Sequence, residues 1–295
     1  MIDFIKIHYK NKTVLEDFVL DEENFNEVMM SYEYHQKELR YPIKTKFYNT
    51  EIIINEETAY LKTSLHKLNN IITNKGNQNY NNFFYSELCY VIDFISENIV
   101  NLETADITQL EFGLNINTSI PAENIVKDNI IMHNFKSHNH SKTFGGKGQY
   151  KQFDYTNYYV KVYDKAKHFN RNENILRIEI KFIRKVEFNE LGIKHIQDLK
   201  IKSNLEALFA YLLKRFIQLT IVDTLNKNLI KKDDYALIQL YSNERFWSNI
   251  PRKKRNKKAI YKERFRQLLE TYNLLTVKTS ILDLLKSKFE ELINN

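Results

Sequence analysis

Three short segments of this chain alternate apolar and polar residues with a period of two, and they constrain the fold more than any other feature. They cover residues 109–116, 158–165 and 175–183. Such alternation predicts half-buried β-strands, because successive side chains of a strand point to opposite faces of the sheet. If the three strands share one sheet, their polar faces bring carboxylates, tyrosines and cations together on one side of it.

The polar faces carry groups that suit metal-assisted cleavage of a phosphodiester. They comprise Glu111 and Asn115, then Tyr159, Lys161, Tyr163 and Lys165, and finally Arg177, Glu179 and Lys181. A strand rises about 3.3 Å per residue, so Glu111 and Asn115 lie roughly 13 Å apart and cannot both bind one ion. Glu111 and Glu179 form the better pair. Two carboxylates, completed by His, Asn or water, suit Mg²⁺ or Mn²⁺, which prefer oxygen ligands.

Tyr163 is the candidate nucleophile of this constellation. A phenol has a pKa of about 10, so it needs nearby cations or a metal ion to gain phenolate character. Lys161 and Lys165 flank Tyr163 on the predicted face and would supply that charge. Two alternatives stay open: Tyr163 is a solvated strand residue among solubilising lysines, or Tyr155, in the lead-in to the same strand, is the nucleophile.

The remaining pattern predicts an α+β fold. From residue 58 the order is strand, helix, strand, helix, strand, strand, which favours a mostly antiparallel sheet with helices on one face and an open catalytic face. From residue 203 apolar residues recur at helical spacing, so an all-α unit follows. The predicted domains are 1–200 and 201–295. Further strands are expected at 1–10, 43–48, 51–55 and 58–66, and helices at 22–38, 86–100, 121–132, 259–271 and 278–293.

Charge and composition favour a nucleic-acid partner. The net charge is +7, from 44 basic and 37 acidic residues, which is consistent with a polyanionic ligand. A basic block comprises Arg252, Lys253, Lys254, Arg255, Lys257 and Lys258. This block is predicted to contact DNA phosphates, with a solvated charge run as the alternative. Tyr159 is a candidate platform for stacking on unpaired bases.

The cellular setting is predicted from absences in the sequence. A single cysteine, Cys89, excludes a disulfide framework and a cysteine-based zinc site, which favours a reducing compartment. The N-terminal segment lacks the pattern of a signal peptide, and no long apolar run predicts a membrane span. We therefore expect a cytoplasmic protein without a membrane partner.

Several sequence motifs of this chain resemble those of rolling-circle replication initiators. They are Gln-Leu-Glu-Phe-Gly-Leu-Asn at 109–115, Lys-Thr at 142–143, Tyr-Val-Lys-Val-Tyr-Asp-Lys at 159–165 and Leu-Arg-Ile-Glu-Ile-Lys-Phe-Ile-Arg at 176–184. The set is similar to the trans-acting plasmid Rep family and, more loosely, to filamentous-phage gene II-type proteins. Ser-Leu-His-Lys at 64–67 resembles a stretch of the gene II-type proteins. The resemblance covers roughly residues 58–200.

The resemblance implies a Rep-nuclease (HUH-like) fold and a tyrosine-dependent DNA nicking–closing endonuclease. The family's nucleophile falls on Tyr163 and its acidic metal positions fall on Glu111 and Glu179, with His66 beside them. The implied product is a 5′-phosphotyrosine link, with a free 3′-hydroxyl for a polymerase. Implied partners are a single-stranded or extruded replication origin, a host helicase and polymerase, and a second copy of the chain.

The sequence also departs from the family pattern. Glu111 and Asn115 stand where the family has Asp, and His138-Asn-His140 has a polar centre in place of a hydrophobic one. The third metal ligand stays open, with His133, His138 and His140 as further candidates. Two other functions remain: a non-catalytic single-stranded nucleic-acid-binding protein, and a mobile-element relaxase or transposase that uses the same tyrosine chemistry.

Overall fold

The computed structural model describes residues 1–295, apart from the side chains of Leu39 and Arg252. Its strands are β1 Ile2–Tyr9, β2 Val28–Glu33, β3 Glu38–Phe47, β4 Thr50–Ile54, β5 Ala59–Ser64, β6 Asp106–Asn117, β7 Ile130–His133, β8 Tyr150–Asp154, β9 Tyr158–Asp164, β10 Ile175–Phe182 and β11 Leu219–Ile221. Nine of them form one antiparallel sheet in the order β2-β3-β4-β5-β1-β6-β10-β9-β8, and β11 pairs separately with β7.

The helices flank this sheet and dominate the last third of the chain. They are α1 Lys12–Leu20, α2 Leu65–Ile72, α3 Tyr85–Asn98, α4 Ala122–Asn124, α5 Lys165–His168, α6 Val186–Asn189, α7 Lys202–Ile217, α8 Lys232–Ser242, α9 Glu244–Ser248, α10 Arg255–Thr271 and α11 Thr276–Ile293. Shorter turns are the 3-10 segments Leu102–Thr104, Ile196–Lys200, Lys227–Leu229 and Arg252–Lys254, and the π-helical Ile125–Asn129. Among the described helices, none has the length and apolar character needed to cross a bilayer.

The three alternating segments are neighbours in the large sheet. Strand β10 lies between β6 and β9 and pairs antiparallel with both. In this register Glu179 lies opposite Gly113 on one side and Lys161 on the other, while Tyr163 lies opposite Arg177. The predictions of a shared sheet and of an α+β fold are confirmed.

Helices cover the apolar face of the sheet. Buried residues of α2, α3, α7 and α11 pack in one hydrophobic core with the inward side chains of β1, β6, β9 and β10. The side chains of Leu110, Phe112 and Leu114 in β6 are almost fully buried in this core. Because neighbouring residues of a strand alternate between faces, the polar residues lie on the side away from these helices.

The protein has a second hydrophobic core, built mainly from residues in the last third of the chain. It is built around Trp247 and includes buried residues of α8 and α10, together with Met132 from β7. Helices α7 and α11, which fall in the predicted second unit, belong instead to the core of the sheet. The last third of the chain is helical as predicted, with β11 as a three-residue strand within it.

Several local predictions were wrong. The predicted helix at 22–38 is largely the strand β2 and the turn before β3, and the helix in this region is α1 at Lys12–Leu20. The predicted helix at 121–132 is a short α4, a π-helical turn and the start of β7. The strand expected at 58–66 ends at Ser64, whose side chain caps α2 by accepting from the Lys67 amide.

Candidate active site

Three carboxylates from three strands meet on the polar face of the sheet. They belong to Asp3 in β1, Glu111 in β6 and Glu179 in β10, and one oxygen of each lies within 4.8 Å of the others. We call this group the carboxylate cluster. It borders a cleft of about 290 Å³ whose other walls carry lysines and aromatic rings. The structure therefore brings Glu111 and Glu179 together, as the strand pattern predicts.

Asp3 is the member of the cluster that sequence reasoning missed. Its carboxylate accepts hydrogen bonds from the Ser64 hydroxyl, from Asn79 Nδ2 at 2.6 Å and from Arg177 Nη2 at 3.3 Å. Burial would raise the pKa of Asp3, but Arg177 and then Lys165 lower it below its usual value. The signal in the sequence was an acid in an otherwise apolar part of a terminal strand, where an ionised group needs partners.

Arg177 and Glu179 form a buried ion pair at the centre of the site. Each of the two residues is 2 % exposed to solvent, and Arg177 Nε donates to Glu179 Oε2. Arg177 also donates to Asn115 Oδ1 at 2.9 Å. Burial would raise the pKa of Glu179, but Lys161 and Arg177 overcome that effect and hold it well below its usual range. Glu179 is therefore ionised near neutral pH.

Gly113 makes room for Glu179. A Cβ added to Gly113 would lie 2.3 Å from the Cβ of Glu179 and 2.6 Å from the carbonyl oxygen of Ile178. A glycine inside a strand often marks a close approach of another chain segment, and here the neighbour is the acid itself. The glycine in the Glu-Phe-Gly-Leu-Asn motif thus has a packing role that the period-two analysis did not reveal.

Lys161 joins two members of the cluster. Its Nζ lies 3.0 Å from Glu111 Oε1 and 3.0 Å from Glu179 Oε1. Burial would lower the pKa of Lys161, but Glu179 and Glu111 raise it above its usual value, so the ammonium stays charged. Lys181 adds a further cation, at 3.0 Å from the same oxygen of Glu111.

The carboxylate cluster fits Mg²⁺ or Mn²⁺ by donor type. All its ligand atoms are carboxylate oxygens, the donors that these ions prefer. The cations Lys161, Arg177 and Lys181 already contact these oxygens. An added ion would therefore compete with lysine and arginine for the same oxygens. Lys161 contacts both Glu111 and Glu179, so its ammonium would have to move away when the ion binds.

Tyr163 lies in the same cleft, and its hydroxyl donates to Glu179 Oε2 at 3.3 Å. Its side chain is not on an open surface as predicted, because the residue is only 5 % exposed. The ring of Phe144 packs edge-on against it at 4.8 Å, and that of Tyr150 lies 5.8 Å away. Burial and the Glu179 carboxylate raise the pKa of Tyr163 well above its usual value, so the phenol is protonated.

Lys165 lies close to Tyr163, but it is not part of the same strand as predicted. Strand β9 ends at Asp164, and Lys165 begins α5, whose first turn is capped by the Asp164 side chain. The Lys165 ammonium lies 5.6 Å from the ring centre of Tyr163 and 5.2 Å from that of Phe169. Burial, helped by the Arg177 guanidinium, lowers the pKa of Lys165 to about 8.

His66 lies apart from the carboxylate cluster. Because α2 begins at Leu65, the side chain of His66 does not follow the alternation of β5. Its Nε2 is 2.7 Å from Asn81 Oδ1 and its ring stacks on Phe83 at 4.7 Å. Burial lowers its pKa to about 3. Among the described residues the third carboxylate, Asp3, takes the position expected for His66.

The other candidate residues of the sheet lie in different surroundings. The hydroxyl of Tyr155 bonds the ring of His133, and its ring stacks on Tyr158 at 4.9 Å, so it lies among aromatic residues outside the lining of the cleft. Tyr159 is half-buried on β9, opposite Lys181 and Asp154. Within the described part of the chain, Tyr163 is the tyrosine that donates to the carboxylate cluster.

The basic block lies at the start of α10. Lys253, Lys254, Arg255 and Lys257 are exposed, as expected of a phosphate-binding strip. Lys258 is half-buried, and its ammonium donates to the carbonyl of Trp247 at 3.3 Å. The side chain of Arg252 lies outside the described residues.

Comparison with known proteins yields a resemblance at the level of structure. No protein-family model matches the sequence, and no curated protein matches it. A solved structure described as a rolling circle replication initiator protein from Geobacillus stearothermophilus is similar to this chain, with a TM-score of 0.40 and 13% sequence identity. The match covers 84% of this chain and 93% of that chain.

Proposed function

We propose that this protein initiates rolling-circle DNA replication as a metal-dependent, strand-specific endonuclease and strand transferase. The observation that carries the proposal is the hydroxyl of Tyr163, 3.3 Å from Glu179, beside a cluster of three carboxylates in a cation-lined cleft. A phenol beside an oxygen-rich cation site is the set of groups that covalent phosphodiester transfer requires.

The proposed step is a transesterification. The Tyr163 oxygen forms a bond to phosphorus while the bond from phosphorus to the 3′-oxygen breaks. The phenolic proton passes to solvent, because Lys161 and Arg177 hold the pKa of Glu179 too low for its carboxylate to keep a proton near neutral pH. The leaving 3′-oxygen takes up a proton from solvent and becomes a free hydroxyl, and the 5′-phosphate stays on the tyrosine. Because the covalent link keeps the bond energy, the reverse reaction can close a strand without a nucleotide cofactor.

Lysines of the cleft would bind and orient the phosphodiester. Lys165 and Lys67 line the cleft beside Tyr163, where an ammonium can pair with a non-bridging phosphate oxygen. Lys161 holds the carboxylates of Glu111 and Glu179 close together until the DNA strand binds. Mg²⁺ or Mn²⁺ held by the carboxylate cluster would polarise the phosphodiester and offset the negative charge of the transition state.

Access to Tyr163 depends on Phe144. Its ring packs against both Tyr163 and Tyr150, at 4.8 Å and 4.2 Å between ring centres. Phe144 is followed by Gly145 and Gly146, both with positive φ. A DNA strand that reaches the Tyr163 hydroxyl would therefore displace Phe144, and these glycines allow the segment to change conformation.

The test is formation of a covalent adduct with labelled single-stranded DNA pools in the presence of Mn²⁺. A denaturing gel should show a slow-migrating protein–DNA species for the unaltered protein and for Tyr150→Phe. The species should be absent for Tyr163→Phe. Equal adduct from Tyr163→Phe would place the nucleophile elsewhere, and no adduct from any protein would contradict nuclease activity.

A second candidate function is binding of single strands without cleavage. The observation that favours it is that every acid of the carboxylate cluster contacts a lysine or arginine, so the site is already charge-balanced. Glu111→Gln distinguishes the two functions, because Glu111 is the most exposed of the three acids in the carboxylate cluster. A nuclease should lose adduct formation in this variant, whereas a binder should keep or gain affinity for single strands when one repulsive carboxylate is removed.

A further inference from the structure

A second group of potential metal ligands lies outside the cleft. It consists of His138, His140 and Glu244, each of which offers one ligand atom within 4.8 Å of the others. The two imidazole rings are 4.0 Å apart between centres, and His140 Nε2 lies 3.1 Å from Glu244 Oε1. The Nδ1 atom of His138 is shielded from solvent and has no hydrogen-bond partner among the described residues. This cluster therefore has both nitrogen and oxygen donors, unlike the carboxylate cluster.

The two histidines are held by the residue between them. The amide of Asn139 donates to the carbonyl of Gln152 at 2.7 Å, and its Nδ2 donates to Asp154 Oδ2 at 2.5 Å. Its Oδ1 accepts from the amide of Ser141 at 3.1 Å. These bonds fix the backbone of the histidine loop (residues 134–149) against β8. The polar centre of the His-Asn-His motif is thus an anchor for the loop.

Glu244 lies in α9, the helix that contributes Trp247 to the second hydrophobic core. It is the first residue of α9, and Trp247 in the same helix packs against Phe135 of the histidine loop with ring centres 4.4 Å apart. Trp247 is fully buried, so this contact sets the position of α9 beside the loop. The three ligands therefore meet where the helices α8–α10 adjoin the sheet.

We propose that His138, His140 and Glu244 form a site for Zn²⁺ or a similar transition-metal ion that ties the histidine loop to α9. Imidazole nitrogen with one carboxylate oxygen suits zinc, and three protein ligands leave one position for water. The nitrogen donors distinguish it from the carboxylate cluster, whose oxygens suit Mg²⁺ or Mn²⁺. The alternative is a solvated pair of His140 and Glu244 with no ion.

The proposed ion would connect the two cores of the protein. The histidine loop leads directly into β8, and Tyr150 at the start of that strand lines the cleft. Phe144, which covers Tyr163, lies in the same loop. Binding of the ion to α9 would therefore restrict the segment that covers the nucleophile.

Titration with Co²⁺ tests the site, because protein-bound Co²⁺ absorbs visible light and substitutes for zinc. In excess Mg²⁺, which competes for the carboxylate cluster and not for imidazole nitrogen, the unaltered protein should bind one Co²⁺ with nitrogen ligation, and excess Zn²⁺ should displace it. His140→Ala and Glu244→Gln should each weaken the binding at least about tenfold. His35→Ala, which removes an exposed histidine elsewhere, should bind Co²⁺ as the unaltered protein does.

One further variant and one further measurement make the outcome decisive. Glu111→Gln should bind Co²⁺ normally, since the carboxylate cluster is a separate site, so a failure of the proposed nuclease function would leave this result unchanged. Hydrogen exchange of residues 134–149 and of α9 should slow when Zn²⁺ is added to the unaltered protein and not when it is added to His140→Ala. Equal Co²⁺ affinity in His140→Ala, or equal loss in His35→Ala, would overturn the proposal.

Discussion

Arg177 organises the site at the scale of single residues. It contacts Asp3 and Glu179 and donates to Asn115, so one buried guanidinium links three strands of the sheet. Asn115 in turn donates to the backbone carbonyls of Asn79 and Tyr80, both at 3.1 Å. Asn79 also donates to Asp3, so these bonds fix the segment that contacts Asp3 to β6. The two carboxylates remain ionised in a buried place because this cation accompanies them.

Lys165 gives the proposed function a pH dependence. Burial and Arg177 lower its pKa to about 8, so its positive charge is present below that pH and is lost as the pH rises through it. Affinity for single-stranded DNA, measured by fluorescence anisotropy, should therefore fall as the pH rises from about 7 to about 9. Lys165→Arg should remove this part of the fall, because arginine stays charged over this range.

The pH prediction has a matched control. Lys67→Arg alters a half-buried lysine that lines the cleft with Lys165, and no such change in the pH profile should follow. A fall of the same size in Lys165→Arg and in the unaltered protein would show that another group titrates.

At the scale of elements, the pairing of β6 with β10 sets the geometry of the carboxylate cluster. Gly113→Ala would place a Cβ 2.3 Å from the Cβ of Glu179, and backbone atoms of β10 crowd the same point. We expect a loss of about 1–3 kcal/mol in the free energy of unfolding, measured with urea, and reduced adduct formation. Asn117→Ala, at an exposed position of the same strand, should change neither quantity. Unchanged stability in Gly113→Ala would contradict the packing role of the glycine.

The elements of the site were predictable where local alternation is strong. Strands β6, β9 and β10 follow the period-two pattern, and so the meeting of Glu111, Glu179, Lys161 and Tyr163 could be predicted. Asp3 could not, because its position depends on β1 pairing with β6 across a register shift between Ile2 and Ile5. That pairing is a contact between segments about a hundred residues apart in sequence, which no local pattern specifies.

Burial was also beyond the local pattern. Period-two reasoning places Tyr163 on the polar face, but it says nothing about which loops cross that face. Phe144 covers the ring, and Lys165 starts a helix instead of extending the strand. His66 was misplaced for a similar reason, since the Ser64 side chain ends β5 by capping α2. Capping and loop packing therefore decided the details of the site.

At the scale of the whole molecule, the two cores have separate tasks in the proposed function. The sheet of the first core carries the cleft, and the helices around Trp247 carry the basic block at the start of α10. Adduct formation tests the first, and binding to the DNA backbone tests the second. The histidine loop joins them, because it contacts α9 and continues into β8.

If the basic block binds DNA phosphates, it should contribute to the salt dependence of the affinity for single-stranded DNA. Lys253→Gln with Lys254→Gln should reduce the slope of log affinity for single strands against log salt concentration by about 1.4, roughly 0.7 for each lost phosphate contact. Lys231→Gln with Lys232→Gln removes the same charge from two other exposed lysines and should leave the slope unchanged. Equal slopes for both double variants would show that the basic block does not bind DNA.

The central claim is that Tyr163 is the residue that becomes covalently linked to DNA, and peptide mapping of the adduct tests it most directly. Trypsin cleaves after lysine, so Tyr163 lies in the peptide 162–165, Tyr150 in 148–151 and Tyr155, Tyr158 and Tyr159 in 152–161. After nuclease trimming of the DNA, mass spectrometry should find the added 5′-phosphonucleotide on the peptide 162–165. The same mass on 148–151 or 152–161, with 162–165 unmodified, would contradict the account.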